Sequence, residues 1–191
     1  MTKDEIILTL LAKNNGPIVG TTRLQKLLFL IEKEGHIEPE NTSFGFEPYR
    51  FGPASKSLYD DLEFLVNMGY MEKTGSPNIE PKLHGLNEIE DLDGEEFLSS
   101  GDDENDDAGN SDEEKEIEIK TAGNDLIVYK ITQKGIDQLT KKGLLESSES
   151  KIIDSMRKKY GNKSLIELLR YVYTRYPDYT TESEIRKQVN G

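Results

Sequence analysis

The 191-residue sequence predicts an α+β fold that is mainly α-helical, on three observations. Apolar residues recur at helical spacing in several segments, most clearly Leu24, Leu27, Leu28 and Ile31. Two short segments, 116–121 and 126–131, alternate with the period of a strand and are separated by Ala122-Gly123-Asn124-Asp125, which can turn the chain into a β-hairpin. Between the helical first part and these strands lies an acidic stretch with too little apolar surface to offset the entropy of ordering. Three helices, a hairpin and a further helix, in that order, spell a winged helix-turn-helix-like body with an acidic disordered insertion and extra C-terminal helices.

The first helix follows from Thr2-Lys3-Asp4-Glu5, a capping box ahead of Ile6, Ile7, Leu8, Leu10 and Leu11, and it ends at Asn14-Asn15-Gly16-Pro17. A second helix starts after Thr21 or Thr22 and stops near Gly35, with Phe29 and Leu30 widening its apolar face. The segment 44–53, Phe-Gly-Phe-Glu-Pro-Tyr-Arg-Phe-Gly-Pro, is aromatic and punctuated by Gly and Pro, so it reads as a short extended piece and turn. A third helix runs from about Ser55 to Asn67, with Leu58, Leu62, Leu65 and Val66 inward, and Gly69 closes it before Tyr70-Met71 leads into a strand. Thr132 to Leu139 begins a fourth helix, and two more lie around Ile152, Ile153 and Met156 and from Leu165 through Tyr173, the last with Asn162 as a candidate cap.

This order divides the chain into 1–75, the N-terminal helical part of the domain, and 76–115, the flexible acidic insertion. Residues 116–146, the hairpin and its helix, complete the domain, and 147–191 form a C-terminal helical extension.

Charge follows the same division. The chain carries 37 acidic and 24 basic residues, a net of -13. From Glu88 to Glu118 there are 16 acidic residues against Lys115, a net of -15, whereas 1–87 sum to -3 and 119–191 to +5. Asp103, Asn105, Asp107 and Glu114 match EF-hand spacing, but Ala108 stands where that loop requires Gly, so calcium is not expected.

Composition excludes whole classes of chemistry. There is no Cys, hence no disulfide, thiolate metal site or cysteine nucleophile, and two histidines, His36 and His84, are too few for a three-histidine site. Both adjoin loop glycines and are expected at the surface. No Gly-rich phosphate loop, HExxH pair or Gly-x-Ser-x-Gly elbow is present, so neither an enzyme, a cofactor nor a small-molecule substrate is expected. No apolar run approaches the length of a membrane span, and Met-Thr-Lys-Asp-Glu does not begin a signal peptide, so a cytoplasmic protein is expected.

The residues that invite a function fall in two groups. Tyr49, Arg50 and Phe51, with Lys56 and Tyr59 at the start of the third helix, combine large rings and cations beside a rigid turn, the composition of a binding hot spot. Gln25 and Lys26 join them as partner-binding candidates, against the simpler reading that they face outward while their leucine neighbours fill the core. Lys141, Lys142, Arg157, Lys158 and Lys159 are the candidate nucleic-acid contacts. The third helix, which would enter a DNA groove, instead carries Asp60, Asp61 and Glu63. The C-terminal tyrosines, Tyr171, Tyr173, Tyr176 and Tyr179, read either as a stacking platform or as packing with hydroxyls at the surface.

Thr22-Arg23-Leu24-Gln25-Lys26-Leu27-Leu28-Phe29-Leu30, then Tyr49-Arg50-Phe51-Gly52-Pro53 and Leu58-Tyr59-Asp60-Asp61-Leu62, resemble the Panacea domain family, also called SocA-like antitoxin domains. That family shows a Leu-Gln-Lys-Leu helix, an aromatic Gly-Pro turn and a following helix carrying Leu-Tyr, and the resemblance covers about residues 1–75. The ending Tyr171-Val172-Tyr173 with Tyr176-Pro177-Asp178-Tyr179 is similar to a branch of archaeal and bacterial relatives. The resemblance implies an antitoxin-like protein that neutralises a protein partner, in some members one encoded nearby, by direct contact. The alternative is a winged-helix transcriptional regulator that binds DNA.

Overall fold

The computed structural model describes residues 1–13, 16–37, 43–75, 127–183 and 185. These form an α+β fold, mainly helical, with α1 (Lys3–Ala12), β1 (Ile18–Val19), α2 (Thr21–Glu34), α3 (Ser57–Asn67), β2 (Met71–Thr74), β3 (Val128–Ile131), α4 (Gln133–Lys141), α5 (Ser148–Tyr160) and α6 (Leu165–Arg175). Single 3-10 turns at Leu144–Glu146 and Pro177–Thr180 follow α4 and α6.

Helix α1 forms where the capping box places it: the Thr2 hydroxyl accepts the Glu5 amide and the Glu5 carboxylate accepts the Thr2 amide. Helix α2 is the centre of the molecule. Every residue from Leu24 to Glu32 is buried, so its apolar stripe is completed on the remaining sides by packing rather than by solvent. Helices α5 and α6 and strand β1 lie against it, and α1 packs on α3, α4, α5 and β3. Ile153, Met156, Tyr160, Leu168, Leu169 and Val172 enter the same core as Leu8, Leu28 and Leu65, so the C-terminal extension is built into the body.

The sheet corrects the expected hairpin. Strand β3 does form within the segment 126–131, but it sits in the middle of a three-stranded antiparallel sheet of order β1-β3-β2. Ile18 and Val19 pair with Tyr129 and Val128 on one side, and Met71 through Thr74 pair with Ile131 through Val128 on the other. Both edges of β3 are therefore occupied at Val128 and Tyr129, and the strand that follows α3 takes an edge expected for 116–121. The latter lies outside the described residues, as do the acidic segment 76–115, the calcium-like residues and His84. A buried bond of 2.8 Å between the Tyr129 and Thr21 hydroxyls ties the sheet to α2.

Other boundaries moved less. Helix α3 starts at Ser57 rather than Ser55, because the Ser55 hydroxyl is spent on the Leu58 amide and the Phe44 carbonyl ahead of the helix. Helix α6 is capped by Ser164, whose hydroxyl accepts the Glu167 amide while the Glu167 carboxylate accepts the Ser164 amide at 2.6 Å, and not by Asn162. Thr132 caps α4 and also donates to the Gly69 carbonyl at 2.7 Å, which holds α4 to the end of α3. There Gly135 is required by close approach, since a Cβ would lie 2.2 Å from the Tyr70 carbonyl oxygen.

Candidate functional site

The aromatic turn is a closed, clamped loop. Glu47 and Ala54 exchange backbone hydrogen bonds of 2.9 Å in both directions, and inside that bridge the Gly52 amide donates to the Tyr49 carbonyl at 2.9 Å. Gly52 has φ of 79°, and a Cβ there would stand 2.8 Å from Cε1 of Tyr173 on α6. This glycine therefore allows both the turn and its seat against the last helix.

Two side chains of α2 hold the loop from beneath. The Lys26 ammonium donates to the Pro53 carbonyl at 2.8 Å. The Gln25 amide accepts from the Ser55 backbone at 3.0 Å and donates to the Tyr59 hydroxyl at 3.2 Å. Gln25 is 5% and Lys26 2% exposed. This corrects both readings of the pair: they are neither outward-facing nor on a contact surface, but satisfy the turn's backbone groups from inside. Among the described residues no carboxylate offsets the burial of Lys26, which pushes its ammonium pKa down to about 7.

Phe44 and Phe46 anchor the incoming arm. Both are buried, and Phe46 meets Phe29 edge-on with ring centroids 5.4 Å apart. What remains at the surface is the rest of the candidate set: Tyr49, Arg50, Phe51 and Tyr59 are half-buried, and Lys56 is exposed. Five of the seven partner-binding candidates thus keep some exposure, whereas Gln25 and Lys26 are buried. Ser55, Phe44 and Tyr173 belong to the same construction, and only the Gly-Pro punctuation signalled it in sequence. Beyond the turn, the outward face of α3 presents Asp60, Glu63, Phe64 and Met68, with Phe64 half exposed at 50%.

Of the nucleic-acid candidates, one is buried and three pair with carboxylates. Arg157 is 2% exposed and points into the body, which removes it from any surface contact. Lys142 pairs with Glu5 at 2.6 Å, Lys158 with Asp154 at 2.7 Å and Lys159 with Glu34 at 3.4 Å. Lys141 is exposed at the end of α4.

The tyrosine cluster is also resolved. The hydroxyls of Tyr171 and Tyr176 donate to one oxygen of the Glu34 carboxylate at 2.6 and 3.3 Å, and that of Tyr160 donates to the other. Tyr173 bonds the Ser183 hydroxyl at 2.7 Å. These are packing residues whose hydroxyls are taken up by half-buried groups of the protein itself. Sequence reading missed Glu34 because nothing local marks one helix-end carboxylate as the acceptor for rings over 120 residues away.

Among the described residues no group of three or more His, Asp or Glu side chains is placed to hold a metal ion, and no helix is long and apolar enough to cross a membrane. Compared with protein-family models, curated proteins and solved structures, the chain matches none.

Proposed function

We propose that this chain is a non-enzymatic, antitoxin-like protein-binding module that contacts a protein partner through the turn and helix start from Tyr49 to Tyr59. The observation that carries this reading is the clamp. Lys26 and Gln25 fix Pro53, Ser55 and Tyr59 from below, so the aromatic and cationic side chains above them sit on a prearranged backbone. A surface prearranged in this way loses less conformational freedom on binding, and large rings with Arg are the residues that dominate interface energies. The motif order, which resembles that of Panacea domains, supports the same reading. The test is capture of the partner by tagged protein from its native cells, comparing wild type with Tyr49→Ala/Arg50→Ala. We expect capture to weaken at least tenfold, about 1.4 kcal/mol, with unchanged melting. Undiminished capture would remove this surface from consideration.

A second reading, a winged-helix DNA-binding regulator, is favoured by one observation: β2 and β3 pair antiparallel directly after α3, where a wing belongs. Against it stand Asp60 and Glu63 on the outward face of α3, which oppose the phosphate attraction that drives non-specific binding. A salt titration with duplex DNA decides. A steep fall of affinity with salt favours the regulator, and absence of binding at low salt rejects it.

A further inference from the structure

Two of the four large apolar side chains that stand exposed among the described residues lie together. Phe64 is 50% and Met68, the C-cap of α3, is 40% exposed, and a separation of four residues sets them side by side on the helix surface, whereas Val19 and Ile152 are on β1 and α5. Asp60 and Glu63 continue that face one turn towards the N-terminus, and with Asn67 they complete the exposed residues of α3. None of these is a cation, and neither carboxylate is paired among the described residues. The face is held in place from behind and at its end. Leu58, Leu62 and Leu65 keep the opposite side of α3 in the core. Past the last turn, Lys134 donates to the Met68 carbonyl at 2.7 Å and the Tyr70 amide to the Leu65 carbonyl at 3.0 Å.

An exposed apolar patch with a polar rim is the pattern of a contact surface, and the charge of this rim narrows the occupant. Nucleic acid and anionic lipid would meet Asp60 and Glu63 with like charge. A second copy laid on the same face would bring two more carboxylates and no cation. A cationic segment with an apolar side gains from both the carboxylates and the apolar pair. We propose that the outward face of α3, from Asp60 to Met68, docks a basic amphipathic helix of a protein partner, with its apolar stripe on Phe64 and Met68 and Lys or Arg beside Asp60 and Glu63. Residues at 60, 63, 64, 67 and 68 follow the i, i+3, i+4, i+7 spacing, which forms the ridges that helices use to pack on one another. Apolar anchors one helical turn apart are likewise what a docked amphipathic helix supplies. The face uses none of the residues from Tyr49 to Tyr59, so this inference stands apart from the reading of that surface.

The test titrates the full chain with a synthetic peptide of about 18 residues, Leu and Lys patterned at the helical period. A scrambled peptide of the same composition and a Leu/Glu peptide of the same pattern serve as controls, in about 0.15 M salt to screen diffuse attraction to the acidic run. The amide resonances of α3 should shift with the patterned Leu/Lys peptide, and Phe64→Ala/Met68→Ala should weaken its binding about tenfold. Should that variant not fold, Asp60→Lys/Glu63→Lys replaces it and should lose the Leu/Lys peptide while gaining the Leu/Glu one. Tyr49→Ala/Arg50→Ala should bind the peptide as wild type does, which tells failure of this face from failure of the aromatic turn. No binding, equal binding of the scrambled peptide, or binding undiminished by the α3 substitutions would overturn the docking face.

Discussion

The Tyr171 hydroxyl donates to the Glu34 carboxylate at 2.6 Å, joining the last helix to the end of the central one. The Tyr160 and Tyr176 hydroxyls donate to the same group, and Lys159 pairs with it. Partial burial disfavours the charge, yet these donors outweigh it and hold the carboxyl below its ordinary pKa. Glu34→Gln should therefore cost about 1–3 kcal/mol and release amide protons of α6 to exchange faster, as read by hydrogen exchange over residues 165–175. The sign with pH follows from the lowered value. The contribution is present at neutral pH and is lost as pH falls below the ordinary carboxylate value, so the variant should show a shallower loss of stability in acid than the wild type.

Lys26 gives the opposite slope. Its pKa is about 7 when folded and 10.5 when exposed, so the unfolded chain holds more protons between those values and stability rises with pH. The gain should be about 1 kcal/mol per pH unit. Tyr160 and Tyr173 work the other way above pH 10, because burial raises both phenols to about 12 and the folded state then holds the extra protons. Denaturant unfolding should thus show stability climbing from pH 7 to about 10 and falling beyond. In Lys26→Met the climb should vanish and the alkaline fall remain. A wild-type profile flat across pH 7 to 10 would show Lys26 to be charged in the fold.

The clamp explains how much was readable beforehand. Thr2 with Glu5, and Leu24 with Leu27 and Leu28, act within one helix, and their spacing alone located α1 and α2. Gln25 and Lys26 lie on the same helix, but their environment is made by Pro53, Ser55 and Tyr59, about 30 residues on, so polarity suggested exposure where the fold supplied partners. Strand β3 was legible from its alternation and its partners were not, since Ile18 and Val19 are too few to show a period and pairing register is not local. Arg157 was misread for a related reason: a cation in a basic run looks like surface, and nothing local shows that its side chain is buried and lies close against Gly161.

Two glycines separate backbone strain from contact. Gly45 and Gly52 both have positive φ, 66° and 79°, but a Cβ at Gly45 meets nothing within 4 Å whereas one at Gly52 meets Tyr173 at 2.8 Å. Gly45→Ala should cost about 1 kcal/mol for left-handed backbone alone. Gly52→Ala should cost about 1–3 kcal/mol more, and Gly52→Ala combined with Tyr173→Ala should recover none of the turn's strain but remove the clash, a coupling that a double-mutant cycle reads directly. Equal costs at the two glycines would mean that the turn does not rest on α6.

The final prediction concerns the connection between β2 and β3. Thr74 pairs with Val128, so the ends of the intervening segment are held side by side by the sheet itself. The acidic run within it has little to bury, and composition predicts that it contributes length rather than contacts. Replacing 76–126 by Asn-Gly leaves Gly75 and Ile127 flanking a two-residue turn of the kind that matches strand twist. Shortening a loop from over fifty residues to four lowers the entropy of closing it by about 2 kcal/mol, on the logarithmic dependence of closure on length. The shortened protein should therefore unfold cooperatively and be more stable than the full chain by about that amount, at 0.15 M salt where long-range repulsion by the run is largely screened. The same measurement at low salt should show a larger gain, because the self-repulsion of the run is then removed as well. A shortened protein less stable than the parent would show that the segment packs against the body and belongs to its core.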